Sequence, residues 1–330
     1  MRAVLLLLLP WGLVMPATAQ QGTPQERLPA MREEARPVRL VAVGDINLAA
    51  SVGRVMAARG MRYPFAPTRP LLRAADIAFG NLECCVAEGG SPLPDKQFTF
   101  RAHPRTARAL ADAGFDIVSL ANNHAWDYGR EALAETVRHV RAAGVAVTGA
   151  GNNRAQAHAL TVLERNGLRV GFLAYLGMFP PLLSESATLP SVAMASVTSI
   201  TQEVRAAARQ VDFLIVSLHA GKELAKRPTA RQRTLAIAAI NAGADIVLGH
   251  HPHVVQPVEI YRSRIICYSL GNFVFSASGR GSGAMLDATL YPDGSIRARL
   301  RPLVLAGVQP RLTGPARAIP LFTSVDRHQR

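Results

Sequence analysis

The chain has 330 residues, 49% of them hydrophobic, which is ample for a sizeable core, and 37 Lys and Arg against 23 Asp and Glu, a formal net charge of +14. That balance favours an anionic partner. The cations are scattered, without a Lys/Arg run or interleaved aromatic residues that would stack bases, so nucleic acid is not an expected partner.

Met1-Arg2, the apolar run "AVLLLLLPWGLVM" and the closing Ala17-Thr18-Ala19 predict a secretory signal peptide over 1–19, cleaved after Ala19. Pro10 and the short apolar length argue against a spanning helix, which needs roughly 20 apolar residues; an uncleaved membrane anchor is the alternative. The mature chain is therefore expected to be exported, to the periplasm, cell envelope or beyond. Residues 20–37 are polar, carry prolines and read as a linker.

From Val38 the pattern changes to short apolar runs separated by polar loops and Ala/Arg-rich amphipathic segments. The runs at 38–44, 76–80, 115–120, 212–218 and 245–249 are continuous, as in strands buried on both faces. Segments 103–113, 129–143 and 229–242 have helical spacing, and the glycines at 144 and 243 suit helix stops. Alternation of this kind predicts crossover units and parallel strands. Asn166-Gly167 and Pro292-Asp293-Gly294 predict hairpins, so antiparallel strands join in the second half, as a mixed sheet or two packed sheets. One α/β domain is expected over 38–307, with a Pro/Arg-rich tail over 308–330 lying loosely on the surface. Cys84, Cys85 and Cys267 lack metal-site spacing and allow at most one disulfide, with Cys267 expected in the core.

Each predicted parallel strand runs into polar residues. Asp45 and Asn47 follow the first, Asn81 and Glu83 the second, Asn122, Asn123, His124 and Asp127 the third, His219 the fourth, and His250, His251 and His253 the fifth. Ligands of open α/β sheets bind at the carboxyl ends of strands. Singly, each residue has an ordinary explanation: Asp45 as a helix cap, His219 as a buried hydrogen-bonded histidine. Together at one rim they point to a site. His-x-His places two imidazoles on one side of an extended segment. Oxygen and imidazole donors without thiolate fit a catalytic divalent metal, one or two ions of Mn, Fe or Zn.

The motifs "VGDINL", "GNLE", "LANNHAWDYG", "HAGKE", "GADIVLGHHPHVVQPVE" and "YSLGNFVF" resemble, in this order and from about 38 to 276, the CapA family of capsule-synthesis proteins associated with poly-γ-glutamate. That family is related in fold to the calcineurin-like metallophosphoesterases. The resemblance implies a layered α/β sandwich with mixed sheets flanked by helices. It implies Asp45 on a first metal with His253, Glu83 as the bridge, and Asn123, His219 and His251 on a second. It places His124 as acid or transition-state donor, oriented by Asp127, and Asn122, Glu223 and Asn272 in motifs that would meet substrate. Two departures stand out: Asn47 occupies a histidine position of the wider superfamily, and Ala220 and Leu224 replace aromatic residues of the family's pattern. The partners implied are an acidic capsule polymer such as poly-γ-glutamate and a capsule-synthesis complex at the membrane. The open alternatives for function are a metal-dependent hydrolase of γ-glutamyl amides or phosphoesters and a non-catalytic polymer-binding assembly factor.

Overall fold

The apolar run from Val38 has no polar alternation, and in the computed structural model it becomes a strand with nearly every residue buried. Residues 35–178, 184–275 and 281–319 are described by the structure. The expected signal peptide and most of the expected linker lie outside them, as does the chain beyond 319.

Strand β1 (Val38–Ile46), helix α1 (Ala50–Arg59), β2 (Ile77–Leu82), α2 (Arg105–Ala113), β3 (Ile117–Ser119), α3 (Gly129–Ala142) and β4 (Ala146–Thr148) build a parallel run β1-β2-β3-β4. A hairpin, β5 (Thr161–Arg165) and β6 (Leu168–Leu176), opens the second half, followed by α4 (Val197–Ala208), β7 (Phe213–His219), α5 (Ala230–Ala242), β8 (Ile246–His250), β9 (Val258–Tyr261) and β10 (Arg264–Cys267). The chain then returns to the first sheet through β11 (Asn272–Val274), β12 (Ser282–Leu290), β13 (Ile296–Ala306), β14 (Gln309–Leu312) and β15 (Arg317–Ile319). Among the described residues the first sheet has nine strands in the order β14-β13-β12-β1-β2-β3-β4, with β11 beside the end of β1 and β15 on β13. The second has six, ordered β9-β10-β8-β7-β6-β5.

The layers follow from which faces are apolar. Leu40, Ala42, Phe79 and Leu286 of the first sheet meet Phe172, Phe213, Ile215 and Leu248 of the second in one core. Within it Phe79 and Phe172 stack with centroids 5.8 Å apart. The opposite face of the first sheet packs under α1, α2 and α3 through Val41, Val43, Met56, Leu110 and Val137. The outer face of the second packs under α4 and α5 through Val204, Val216, Leu235 and Val247. The result is the expected helix–sheet–sheet–helix sandwich.

The predicted turns are present. Asn166 and Gly167 adopt φ of 51° and 77°, the paired left-handed residues of a tight hairpin. Helix α5 starts on a capping box between Thr229 and Gln232 and stops at Gly243 in the left-handed region. All three cysteines are buried and free, Cys267 included. The tail behaves differently from the expectation. Residues 309–312 and 317–319 both pair with β13, because the outer strand of an open sheet offers unpaired backbone groups that a following segment satisfies.

Candidate metal centre

All the parallel strands run toward the same rim, so their carboxyl ends bring distant residues together. Asp45 near the end of β1 stands in register with Asn81 of β2 on one side and Asn272 of β11 on the other. His219 and His250 are paired neighbours at the ends of β7 and β8. The backbones at the rim approach very closely: a Cβ added at Gly44 would lie 1.9 Å from the Gly271 oxygen.

Asp45, Glu83, His219 and His250 are fully buried, and His251 nearly so. One donor atom from each of Asp45, Glu83 and His219 falls within 4.8 Å of the others, and the same holds for Glu83, His251 and His253. Glu83 belongs to both groups. Its Oε1 lies 3.6 Å from His219 Nε2 and 3.8 Å from His253 Nε2. Asp45 Oδ2 is 3.4 Å from His253 Nδ1 and accepts the His251 backbone N–H at 3.2 Å. The expected metal residues thus form one cluster around Glu83. Alongside the two groups that share Glu83 run the contacts Asp45–His253 (3.4 Å), His219–Asn123 (2.7 Å) and His219–His251 (ring centroids 4.9 Å).

Among the described residues, both Glu83 oxygens, His250 Nε2 and His251 Nδ1 are buried without a hydrogen-bond partner. A buried carboxylate left unsatisfied is costly, and a cation at its oxygens relieves that cost. The donor set and its orphaned atoms therefore fit a divalent ion.

The electrostatics agree. Burial, reinforced by the Asp45 charge, pushes the Glu83 carboxyl well above its usual range. Burial acts in the same sense on Asp45, but the imidazoles of His250 and His253 outweigh it and hold that carboxyl well below its usual value. Burial and the neighbouring His251 push His219 well down, and burial with His253 takes His251 to about 4. Both rings are neutral at pH 7, as ligation requires. Burial alone would lower His253, yet Glu83 and Asp45 raise it to about 10. In the ion-free cluster a proton on His253 takes the place of a cation beside Glu83.

The His-x-His stretch is not extended as expected. His251 and His253 take φ of 96° and 57°, and Leu224 N–H bonds the Pro252 carbonyl at 2.9 Å. The kinked loop still turns both rings inward, with centroids 5.9 Å apart. Backbone in this region is sparsely populated for residues with a Cβ and persists where its surroundings over-determine it.

His124 stands at the wall of the cluster. Its Nδ1 is 2.7 Å from Asp127 Oδ2, which leaves Nε2 facing Glu83 Oε1 at 4.0 Å. The ring packs on Phe100 (4.5 Å), Phe100 meets Phe275 edge-on, and Phe275 packs on His253 (4.7 Å). Burial lowers the His124 pKa despite Asp127. Asn272 Oδ1 lies 2.9 Å from His253 Nδ1 and so orients that ring. Glu223 is exposed in the loop after β7. Asn122 corrects the expectation of a substrate contact: it is fully buried, its Nδ2 donates to Asn81 Oδ1 and the Leu82 carbonyl, and its Oδ1 accepts the His124 backbone N–H. It is a strut between two rim loops. Asn47, where the resemblance implied a departure from histidine, accepts the Ala49 N–H at 2.9 Å and so serves the turn into α1.

Asn81 and His250 stood at the rim in the sequence reading without a role there, and Lys96 escaped it altogether. Asn81 Nδ2 donates to Asp45 Oδ1 at 2.8 Å and lies 3.1 Å from His219 Nδ1. A carboxylate only accepts, so Asn81 presents its NH2 group there and His219 Nδ1 must accept in turn. The His219 proton is then on Nε2, which donates to Asn123 Oδ1 at 2.7 Å. Lys96 reaches in from the loop before Phe100 to the Asn123 carbonyl (2.6 Å) and to Asp127. His250 is the third, with Nδ1 3.3 Å from Asp45 Oδ1. Position in "GNLE" was the one signal for Asn81, and adjacency to His251 the one for His250.

The family model described as "Bacterial capsule synthesis protein PGA_cap" matches residues 39–277. The capsule biosynthesis protein CapA of Bacillus anthracis is 33% identical over 260 residues, covering 75% of this chain and 62% of that protein. The PGA biosynthesis protein CapA of Bacillus subtilis is 31% identical over 265 residues, covering 79% of this chain and 70% of that one. The chain thus spans somewhat under two thirds of the length of the first of these relatives. Among solved structures, the NAD nucleotidase of Haemophilus influenzae superposes with a TM-score of 0.50 over 87% of this chain and 54% of its own, at 11% identity, a likeness of fold.

Proposed function

The chain belongs to the PGA_cap family of bacterial capsule synthesis proteins, and from that premise we propose that it acts, exported, in making or exporting an acidic capsule polymer of the poly-γ-glutamate type, with a divalent-metal hydrolase site at its rim. The observation that supports this reading most is Glu83, a buried carboxylate with both oxygens unpartnered at the centre of three imidazoles and Asp45. Asp45, Glu83, His219, His251 and His253 would hold the metal, with Asn123 beside them. Mn, Fe or Zn bound there supplies Lewis acidity, polarising a carbonyl or phosphoryl oxygen and making water nucleophilic near neutral pH.

The chain's own groups do the rest. Asp127 accepts the Nδ1–H of His124 and leaves Nε2 toward the cluster, where it takes a proton from the attacking water and passes it to the departing amine or alkoxide. Phe100 and Phe275 shield that transfer from solvent. Asn272 holds His253 in place. Among the described residues no helix is long and apolar enough to cross a membrane.

The carboxamide at position 47 favours a second reading, in which a reduced site shapes a polymer-binding cleft without turnover. One assay separates the two. Wild type is offered γ-glutamyl oligomers and a generic phosphodiester with each of the three metals, beside His251→Ala. Turnover in wild type that falls at least about a hundredfold in the variant is expected for loss of a metal ligand. Turnover equal in both proteins would contradict the site, and no turnover by metal-loaded wild type would favour the second reading.

A further inference from the structure

The sheet face that carries α1–α3 over β1–β4 continues onto β12 and β13, and there its residues are cationic. On β13, Arg297, Arg299 and Arg301 alternate along one face, while Ala298 and Leu300 between them face the core between the sheets. Arg39 joins them from the start of β1. Three of these guanidinium groups converge on one carboxylate. Arg39 Nε and Nη2 reach Asp287 Oδ1 and Oδ2 at 2.9 and 3.1 Å, Arg299 Nε reaches Oδ2 at 3.1 Å, and Arg301 Nε reaches it at 3.0 Å. The Asp287 side chain is 2% exposed, whereas that of Arg299 is 51% exposed. Arg297 is exposed too, its guanidinium 5.4 Å from the Tyr291 ring centroid. The other carboxylate at this patch, Asp76, accepts the Arg39 backbone N–H at 2.7 Å.

One buried carboxylate cannot balance three guanidinium groups, and a guanidinium has five N–H donors. Asp287 holds Arg39, Arg299 and Arg301 in a fixed array in which Arg299 is half exposed, and Arg297 stands exposed beside them. Held cations of this kind lose less side-chain entropy on meeting an anion than free ones.

We propose that this arginine row is a binding track for an extended polymer bearing one carboxylate per residue, separate from the metal centre. The proposal rests on the capsule-polymer reading given above. Alternate residues of a strand repeat every ~6.8 Å. An extended α-peptide advances ~3.4 Å per three backbone bonds, so the five bonds of a γ-linked glutamyl unit advance about 5.7 Å. Successive units of such an extended chain alternate sides, so the carboxylates on one side recur every ~11 Å. They meet every second arginine of the row, ~14 Å apart, with adjustment by the long side chains. Arg39 precedes Asp45 by six residues on β1, which puts the track on the order of 20 Å from the metal centre. The track holds the chain while the rim acts on it.

The test uses the exposed pair Arg297→Ser/Arg299→Ser, which leaves Arg39 and Arg301 on Asp287. Binding of labelled γ-glutamyl oligomers is measured by anisotropy at low and at physiological salt, with a neutral polysaccharide and anionic phospholipid vesicles as controls, alongside His251→Ala. The double variant should bind the oligomer roughly fivefold to tenfold more weakly at low salt, with a shallower salt dependence and unchanged metal content. His251→Ala should bind as wild type does. Equal binding by the double variant and wild type overturns the track and leaves the capsule reading standing. No binding by wild type, or equal binding to the neutral control, overturns both. Vesicles bound in preference to the oligomer, and released by the double substitution, would assign the row to a membrane surface and overturn the polymer.

Discussion

Asn81 decides which nitrogen of His219 carries the proton, and it does so because Asp45 can only accept. A ligand role for His219 through Nε2 needs the proton on Nδ1 and an acceptor at position 81. Asn81→Asp supplies that acceptor and a further negative charge, so metal affinity should rise about tenfold or more, the magnitude seen for outer partners of metal ligands. The ion-free variant should be less stable, since a third carboxylate then joins Asp45 and Glu83 in one buried site. Calorimetric metal titration and thermal melting with chelator check both; unchanged affinity would contradict the tautomer assignment. A second outcome follows from the proton held between Glu83 and His253. With His253 at about 10 and Glu83 raised, that proton is bound at pH 7 and must leave when a cation takes its place. Metal affinity should therefore increase as pH rises through neutrality. Titrations in two buffers of different ionisation enthalpy should read about one proton released per ion. Asp45, Glu83, His219, His251 and His253 were legible because each ends an apolar run. Asn81 was legible as a rim residue but its hold on Asp45 and His219 was not, because a carboxamide after a strand is ordinary capping chemistry. Lys96 lies in a loop without pattern, and its approach to Asp127 depends on tertiary folding alone.

The parallel strands were legible as elements because burial on both faces leaves uninterrupted apolar runs. Three-residue strands such as β4 and β11 carry too little pattern, and β11 is a strand because β1 offers it a free edge beyond Ala42. The inward turn of His251 and His253 was misread as extended because a positive φ at histidine leaves no trace in composition. A clasp outside the site also escaped. His158, after the short helix Arg154–Ala157, lies between Glu203 of α4 (Nδ1 to Oε2, 2.8 Å) and Glu185, while Tyr175 OH of β6 donates to Glu203 at 2.9 Å. Burial lowers the His158 pKa, but the two carboxylates outweigh it and raise it to about 9. A raised pKa means the clasp stabilises the fold fully below the unfolded value of about 6.5 and loses that contribution as pH climbs to 9. Melting temperature should fall across that window in wild type and more gently in His158→Gln. Parallel slopes would show that other groups set the alkaline limit.

At the scale of the molecule, two sheets pack face to face with helices outside, and the parallel strands of both point their carboxyl ends at one rim. That geometry gathers residues from Asp45 to His253 into a single cluster although 208 positions of chain separate them. The alternation of runs and helices made the layering legible, and the hairpin signals accounted for the antiparallel strands. The division of the arginines was not legible: a net charge of +14 describes a quantity, while the row on β13 exists because a strand sends alternate residues to one face. Cationic surface, anionic polymer and metal centre form one account only if the rim binds metal. The most direct measurement is metal analysis of the protein purified without chelator, beside Glu83→Gln with its fold checked by circular dichroism. The account predicts Mn, Fe or Zn near one or two equivalents in wild type and well below one in the variant. A correctly folded wild type that holds none of them, even after each ion is added back, would contradict it.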